Sequence, residues 1–351
     1  MEVSSVPTKD GSIAEMNTQH DNAMQEDPEW DYDSIIITKL RDTECSLLLE
    51  RFFDSNTLLH VAASIGHDQI VEAILSKQQC QQELLTATNS TGNLPLHVAA
   101  NAGHLPVVVQ FLGRPCRNHQ ELLKAQNSNG DLPLHVAANA GHLSIVQHLV
   151  ESHLCQELLM VKNSNGDLPL HAAANAGHLS IVQHLIESSD SSHQCQQELL
   201  TTRNSSGDHP LHVAANAGHL YIVEHLLNSS HQAQNSKVNV ASILLTGKNN
   251  EGNTPLHLVL IKKYEQVDMN LKSRYNEVAK LLIETDPIVF NYRNKAQKYP
   301  YGMAIEAEDK ELLELMKHKF GKSPPRYVGT LTFLAFNSQN RHNFLLHLAK
   351  R

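Results

Sequence analysis

Twenty-three histidines and a recurring set of aspartates are the side chains of this 351-residue chain that could do chemistry. Histidine ligates zinc, moves protons and activates nucleophiles, and paired carboxylates run acid–base hydrolysis. Spacing speaks against each use. The histidines fall into columns. His60, His97, His135, His171, His212 and His257 recur at intervals of 37, 38, 36, 41 and 45 residues. His67, His104, His142, His178 and His219 each follow a glycine, and His148, His184 and His225 form a third set. Members of one column stand in successive copies of a recurring segment. Stacked helical segments lie about 8–10 Å apart, whereas zinc draws its ligands to about 2.0–2.3 Å from one centre. Asp131, Asp167 and Asp208 also recur one segment apart, at the outer limit of the roughly 9.5 Å that a glycosidase pair spans, and turn formation is their simpler role. His-Glu-x-x-His, paired Cys-x-x-Cys, glycine-rich phosphate loops and nucleophile elbows do not occur. The sequence thus predicts no enzyme, no cofactor and no metal. It predicts histidines that bond between backbone and neighbouring segments, and, if they are held neutral, a loss of stability below about pH 6.

The elements that position these residues are legible in the repetition itself. Residues 130–150 read GDLPLHVAANAGHLSIVQHLV and residues 166–186 read GDLPLHAAANAGHLSIVQHLI. Further copies start at Asn56, Gly92, Gly207 and Gly252. A weaker one at Tyr299 keeps the proline and loses the histidine, and the pattern restarts at Asn343. In each copy Asn-Ser-Asn-Gly is a hairpin-turn signal. Pro133 and Pro169 suit the first turn of a helix. Leu134, Val136, Ala137, Ala138 and Ala140 make a short helix of small residues, and Gly141 ends it. Ile145, Val146, Leu149 and Val150 form one face of a second helix. Such a unit buries its apolar face only by stacking on its neighbours.

The pattern Gly-x-(Thr)-Pro-Leu-His-x-Ala-Ala-x-x-Gly-His resembles the ankyrin repeat. It covers residues 56–316 in seven units, with part of an eighth at 343–351. The resemblance implies an all-α ankyrin-repeat solenoid of helix-turn-helix units with short β-hairpin tips. The period departs from the usual length of about 33 residues. The extra residues form a lead-in, CQQELLTATN (80–89), HQELLKAQN (119–127), CQELLMVKN (155–163) and CQQELLTTRN (195–204), which reads as an added helical turn. The capping threonine survives only at Thr57 and Thr254; Leu94, Leu132, Leu168 and His209 replace it, and packing of the leucines is the expected compensation. The lead-in resembles that of the plant accelerated-cell-death type of ankyrin protein, whose membrane domain has no counterpart in these 351 residues.

Residues 1–30 are acidic and polar and read as a disordered tail. Residues 31–54 read as N-terminal capping helices, 55–318 as the seven repeats, 319–342 as a linker and 343–351 as the incomplete eighth repeat. Residues 262–276, rich in lysine, are expected to lengthen the turn between the helices of the sixth unit and to project from it. Nine acids and one base fall within residues 1–33, and the rest of the chain is near neutral, so the dense basic face of a nucleic-acid binder is lacking. No apolar run suits a signal peptide or membrane span, which predicts a cytoplasmic protein. The apolar residues Phe344–Leu348 would offer a contact to a membrane protein. Of the five cysteines, Cys80, Cys116, Cys155 and Cys195 occupy equivalent places too far apart to bridge, and with Cys45 they read as free thiols. What is left is surface. By analogy with ankyrin proteins, a protein partner is expected on the concave side, at the tips Thr91, Asn93, Asn129, Asp131, Asn165, Asp167, Ser206, Asp208, Glu251 and Asn253. The alternative is a soluble arm of a membrane-associated plant defence or stress-signalling protein.

Overall fold

The computed structural model describes residues 32–113, 119–151, 155–189, 193–232 and 239–320. The acidic tail (1–30), the linker beyond Phe320 and the incomplete eighth unit (343–351) lie outside them.

Each unit begins where sequence pattern and backbone chemistry agree. Proline opens the first helix in six units, at Pro95–Ala102, Pro133–Ala140, Pro169–Ala176, Pro210–Ala217, Pro255–Glu265 and Pro300–Glu306, and Leu58–Ile65 starts the series. A missing N–H is harmless at that position. Adjacent first helices touch along the whole array. The alanine pairs Ala99/Ala100, Ala137/Ala138, Ala173/Ala174 and Ala214/Ala215 are fully buried between them. Gly141 then reverses the chain at φ +89°, and its N–H donates to the Ala137 carbonyl at 3.1 Å. A Cβ there would sit 2.6 Å from the His178 ring of the next unit, so this glycine serves both the left-handed backbone and the stacking distance. The second helices, such as Leu143–Val150 and Leu179–Ser188, bury the apolar face read from the sequence: Ile145, Val146, Leu149, Ile181, Val182 and Leu185.

The lead-in is a third helix: Gln81–Thr86, His119–Lys124, Cys155–Leu159, His193–Thr201 and Val240–Thr246, with a 3₁₀ turn Pro287–Asn291 in the sixth unit. Its leucine pairs, Leu84/Leu85, Leu122/Leu123, Leu158/Leu159, Leu199/Leu200 and Leu244/Leu245, join one core that runs through every unit. Each such burial contributes about 1.5–3 kcal/mol. At the N-terminal end the helix Tyr32–Asp42 lies against Asp68–Leu75.

Three expectations are corrected. The tips are not β-hairpins: among the described residues no strand forms. The reason is the asparagine that opens each tip. The Asn127 N–H donates to the Asp131 carbonyl at 3.0 Å, as a hairpin would require. The return bond of a ladder, however, is taken by a side chain: Asn127 Oδ1 accepts from the N–H groups of Asn129 and Asp131, both at 2.9 Å. Between tips there is a single backbone bond per step, as from Ser128 N–H to the Thr91 carbonyl (3.0 Å) and from Ser164 N–H to Asn129 (2.9 Å). Gly130 (φ +73°) makes this approach possible, since a Cβ would stand 2.6 Å from the Ser164 backbone nitrogen.

The sixth-unit residues 262–276 do not lengthen a turn. They extend both helices, to Pro255–Glu265 and Met269–Thr285, and leave only Gln266–Asp268 as the connection. Lys263 does not project; it is buried against Asn276 and Asp309. The cysteines are not all free either. Cys45 pairs with Cys80 in a disulfide, their Cα atoms 5.9 Å apart. Cys45 lies on a short helix, Cys45–Leu48, that precedes the first unit, so unit spacing does not separate it from Cys80.

Candidate functional site

The marker histidines explain what holds the tips in line. In each, Nδ1 accepts the backbone N–H three residues earlier: Thr57 to His60 (3.1 Å), Leu94 to His97 (3.2 Å), Leu132 to His135 (3.2 Å), Leu168 to His171 (3.1 Å), His209 to His212 (3.3 Å) and Thr254 to His257 (3.2 Å). With Nδ1 accepting, the ring proton belongs to Nε2. That N–H crosses to the next unit and donates to the carbonyls of Asn93 (2.9 Å), Asp131 (3.0 Å), Asp167 (3.0 Å), Asp208 (3.2 Å), Asn253 (3.2 Å) and Lys298 (3.1 Å) in turn. The Thr57 and Thr254 hydroxyls meet their histidines' Nδ1 at 2.8 Å. Leu132 and Leu168 fill the same space fully buried, so the apolar replacement leaves the histidine's own bonds intact. Burial pushes the rings of His97, His171 and His257 down to about 4 and that of His212 to about 3. The carbonyls they bond oppose the shift only partly.

The glycine-following histidines work in the opposite direction. Nε2 of His104, His142, His178 and His219 bonds the carbonyl of Ser64, Asn101, Asn139 and Asn175 in the preceding unit, at 2.9–3.1 Å. In the sixth unit, where that histidine is missing, the Tyr275 hydroxyl does the same to Asn216 (3.1 Å). The second to fifth units therefore each reach forward with one imidazole and backward with another. Among the described residues no three His, Cys, Asp or Glu side chains converge as metal ligands.

His209 stands apart. It is buried where its neighbours have leucine, and its Nε2 accepts from Arg203 Nε at 2.9 Å. Its proton must then be on Nδ1, which is buried without a hydrogen-bond partner, and burial pushes the ring down to about 4. An unsatisfied buried polar group costs about 1–3 kcal/mol. His209→Leu is therefore expected to stabilise the protein by about 1–2 kcal/mol in denaturant titration. Arg203 keeps its bond to the Lys248 carbonyl (2.8 Å). A loss of stability would show that the ring makes a contact worth more than leucine packing.

The tips are joined by a second thread, a ladder of side-chain amides. Asn127, Asn163, Asn204, Asn249 and Asn294 each donate from Nδ2 to the preceding tip, to Oδ1 of Asn93, Asp131, Asp167, Asp208 and Asn253, at 2.8–2.9 Å. Between this ladder and the first helices runs an open groove of about 630 Å³. It brings together six of the ten tip residues expected to bind: Asn93, Asn129, Asp131, Asn165, Asp167 and Asp208. Thr91 and Ser206 are exposed but do not line it. Glu251 and Asn253 line a separate depression of about 500 Å³, shared with Lys295 and Lys298. The opposite wall is formed by the first helices. It consists of Val98, Val136, Ala172 and Val213 beside Asn101, Asn139, Asn175 and Asn216. The signal for it was the asparagine repeated in Ala-Ala-Asn-Ala-Gly-His.

The family described as ankyrin repeats (3 copies) matches residues 34–121, 59–157, 96–197 and 152–237. No curated protein matches the chain. These matches together span more than half of the sequence, and the paired helices and a marker-histidine link, from His257 to Lys298, continue through units they do not reach. The chain belongs to the ankyrin-repeat family.

Proposed function

We propose that the protein is a scaffold that binds a protein partner along the groove between the tips and the first helices, the concave side of an ankyrin stack. The ankyrin repeats are non-catalytic, and the observation that carries the reading is the groove itself. It crosses four units and presents exposed Asn101, Asn129, Asn139, Asn165 and Asn175 in register. Such side chains are neither core nor caps, and exposed amides beside small apolar residues suit a polar protein contact. Photo-cross-linking from position 139 tests it, with position 151 at the end of a second helix as control. A discrete partner captured from position 139 alone, and lost in Asn139→Arg/Asn175→Arg, is expected. Capture from position 151, or from neither, would overturn the reading.

The likeness of the lead-in to the plant accelerated-cell-death type supports a second reading, an arm that works beside a membrane. Val267 and Met269 are 94% and 74% exposed at the end of the lengthened sixth unit, next to Lys272. No helix among the described residues is long and apolar enough to cross a membrane, so contact would be peripheral. Co-sedimentation with anionic vesicles that disappears in Val267→Asp/Met269→Asp is the expected result, and unchanged sedimentation would remove this reading.

A further inference from the structure

Neighbouring units offer the groove the same side chains, so a ligand that engages one unit meets the same chemistry one unit further on. Two columns are special to the central units. On the helix side, Asn101, Asn139, Asn175 and Asn216 have side-chain amides with no hydrogen bond to any described residue. The outer units place Ser64, Ile261 and Glu306 there. On the tip side, the amide ladder needs only a carbonyl oxygen as acceptor. Asn93 and Asn253 supply one with an amide, yet Asp131, Asp167 and Asp208 supply it with a carboxylate. The charge is unfavourable for the fold. Burial pushes the Asp167 and Asp208 carboxyls up, and neighbouring carboxylates push the same way. The ladder alone therefore does not account for three negative charges in a row.

The groove's lining excludes several ligands. Among the described residues it contains no lysine, no arginine and no phenylalanine, tyrosine or tryptophan. Nucleic-acid phosphates would meet like charge, and bases or sugar rings would find no stacking platform. A polypeptide carrying cations has both the charge and the backbone donors and acceptors to match. Its conformation follows from the step between units, about 8–10 Å for packed helices. A β-strand returns to one face every two residues, about 6.6–6.8 Å, and an α-helix every turn of about 5.4 Å. Polyproline II returns every three residues, about 9.3 Å, and leaves all its backbone carbonyls open.

We propose that the groove across units 2–5 binds a partner segment in the polyproline II conformation with lysine or arginine at every third residue. The cations face Asp131, Asp167 and Asp208 in turn, and the segment's open carbonyls accept from the asparagine column. This rests on the scaffold reading above and names the occupant of that groove.

The test uses the full chain and fluorescence anisotropy at low salt. One labelled 15-residue peptide is five Lys-Pro-Pro triplets. Its isomer has the same composition, with the five lysines at alternate positions. The triplet peptide is expected to bind at least tenfold more tightly than the isomer. Asp131→Asn/Asp167→Asn/Asp208→Asn, which keeps every ladder acceptor and whose unchanged or raised Tm shows an intact fold, is expected to lose at least tenfold in affinity. Equal affinity for the two peptides, or undiminished binding by the triple variant, would overturn the proposal. If the triplet peptide fails to bind while position 139 still captures a partner, the occupant is wrong and the scaffold reading stands. If both fail, both fall.

Discussion

Acidification from pH 8 to pH 5.5 is expected to lower the melting temperature by at least about 10 °C, an effect larger than that of most single substitutions. The cause is the two-sided use of each marker imidazole. Nδ1 receives a backbone N–H, so a second ring proton has nowhere to go without breaking the cap that starts the helix. Folded values near 4 for His97, His171, His209 and His257, and near 3 for His212, lie below the ordinary 6.5. Between those values the unfolded chain binds protons that the folded chain refuses. The stability is fully present above pH 6.5 and is lost as pH falls toward 4, at about 1.4 kcal/mol per pH unit for each ring. Five rings at pH 5.5 amount to roughly 5–7 kcal/mol, of the order of a domain's whole stability. The raised carboxyls of Asp167 and Asp208 act with the opposite sign. Their protonation favours the folded state, and it offsets a small part of the loss at the lower end of the window. Circular dichroism melts at half-unit pH steps measure the slope. A melting temperature that stays level down to pH 5 would show that the rings are not held neutral.

A second large effect is expected at the far end of the array. Lys263 is 5% exposed, and its ammonium meets the Asp309 carboxylate and Asn276 Oδ1. The Tyr264 hydroxyl donates to the same carboxylate at 3.0 Å, and Asn276 passes its own N–H to Glu311 at 2.9 Å. The network thus ties both long helices of the sixth unit to the last described unit. Removing one member of a buried pair leaves the other charge unpaired, at about 3–5 kcal/mol. Lys263→Met and Asp309→Asn should each show a loss of that size, and the double variant should lose much less than their sum. The exposed pair Lys124–Glu157, by contrast, is worth at most about 1 kcal/mol. Because repeat arrays are stabilised unit by unit, the damage should be local. Hydrogen exchange should quicken in residues 255–320 and hardly change before residue 200. Single-variant losses below about 1 kcal/mol would mean that the pair is solvated.

The parts of this fold that were legible in the sequence are those set by local chemistry. Proline at the helix start, glycine at its end and the apolar spacing of Ile145, Val146 and Leu149 place the paired helices, and the Glu-Leu-Leu lead-in places the third. The histidine links between units were also foreseeable, because a polar ring in a buried, repeating position needs repeating partners. What could not be read depends on which of two atoms wins a hydrogen bond. Asn-Ser-Asn-Gly is a sound hairpin signal, but Asn127 Oδ1 competes for the donor that a ladder would need, and the strand is lost. Lys263 looked like a surface residue because its partners, Asn276 and Asp309, lie 13 and 46 positions away. The individual residues of the groove's helix wall are hard to read for a different reason. Its asparagines sit inside the most repetitive words of the chain, where repetition reads as structure. Tyr275 doing a histidine's work has no motif at all.

The links between units also bear on how such a chain can change length. The central units hand their bonds on through the same atoms, and Asp131 and Asp167 occupy identical places 36 residues apart. A crossover that joins Gly130 to Asp167 removes one whole unit and leaves a junction spelled as before. A crossover in the reverse sense inserts a copy. Neither disturbs a core contact type, a ladder acceptor or a ring partner. Unequal recombination can therefore lengthen or shorten the groove in whole steps of one carboxylate and one unengaged amide. Copy number then sets how far the surface extends, with no new side chain required.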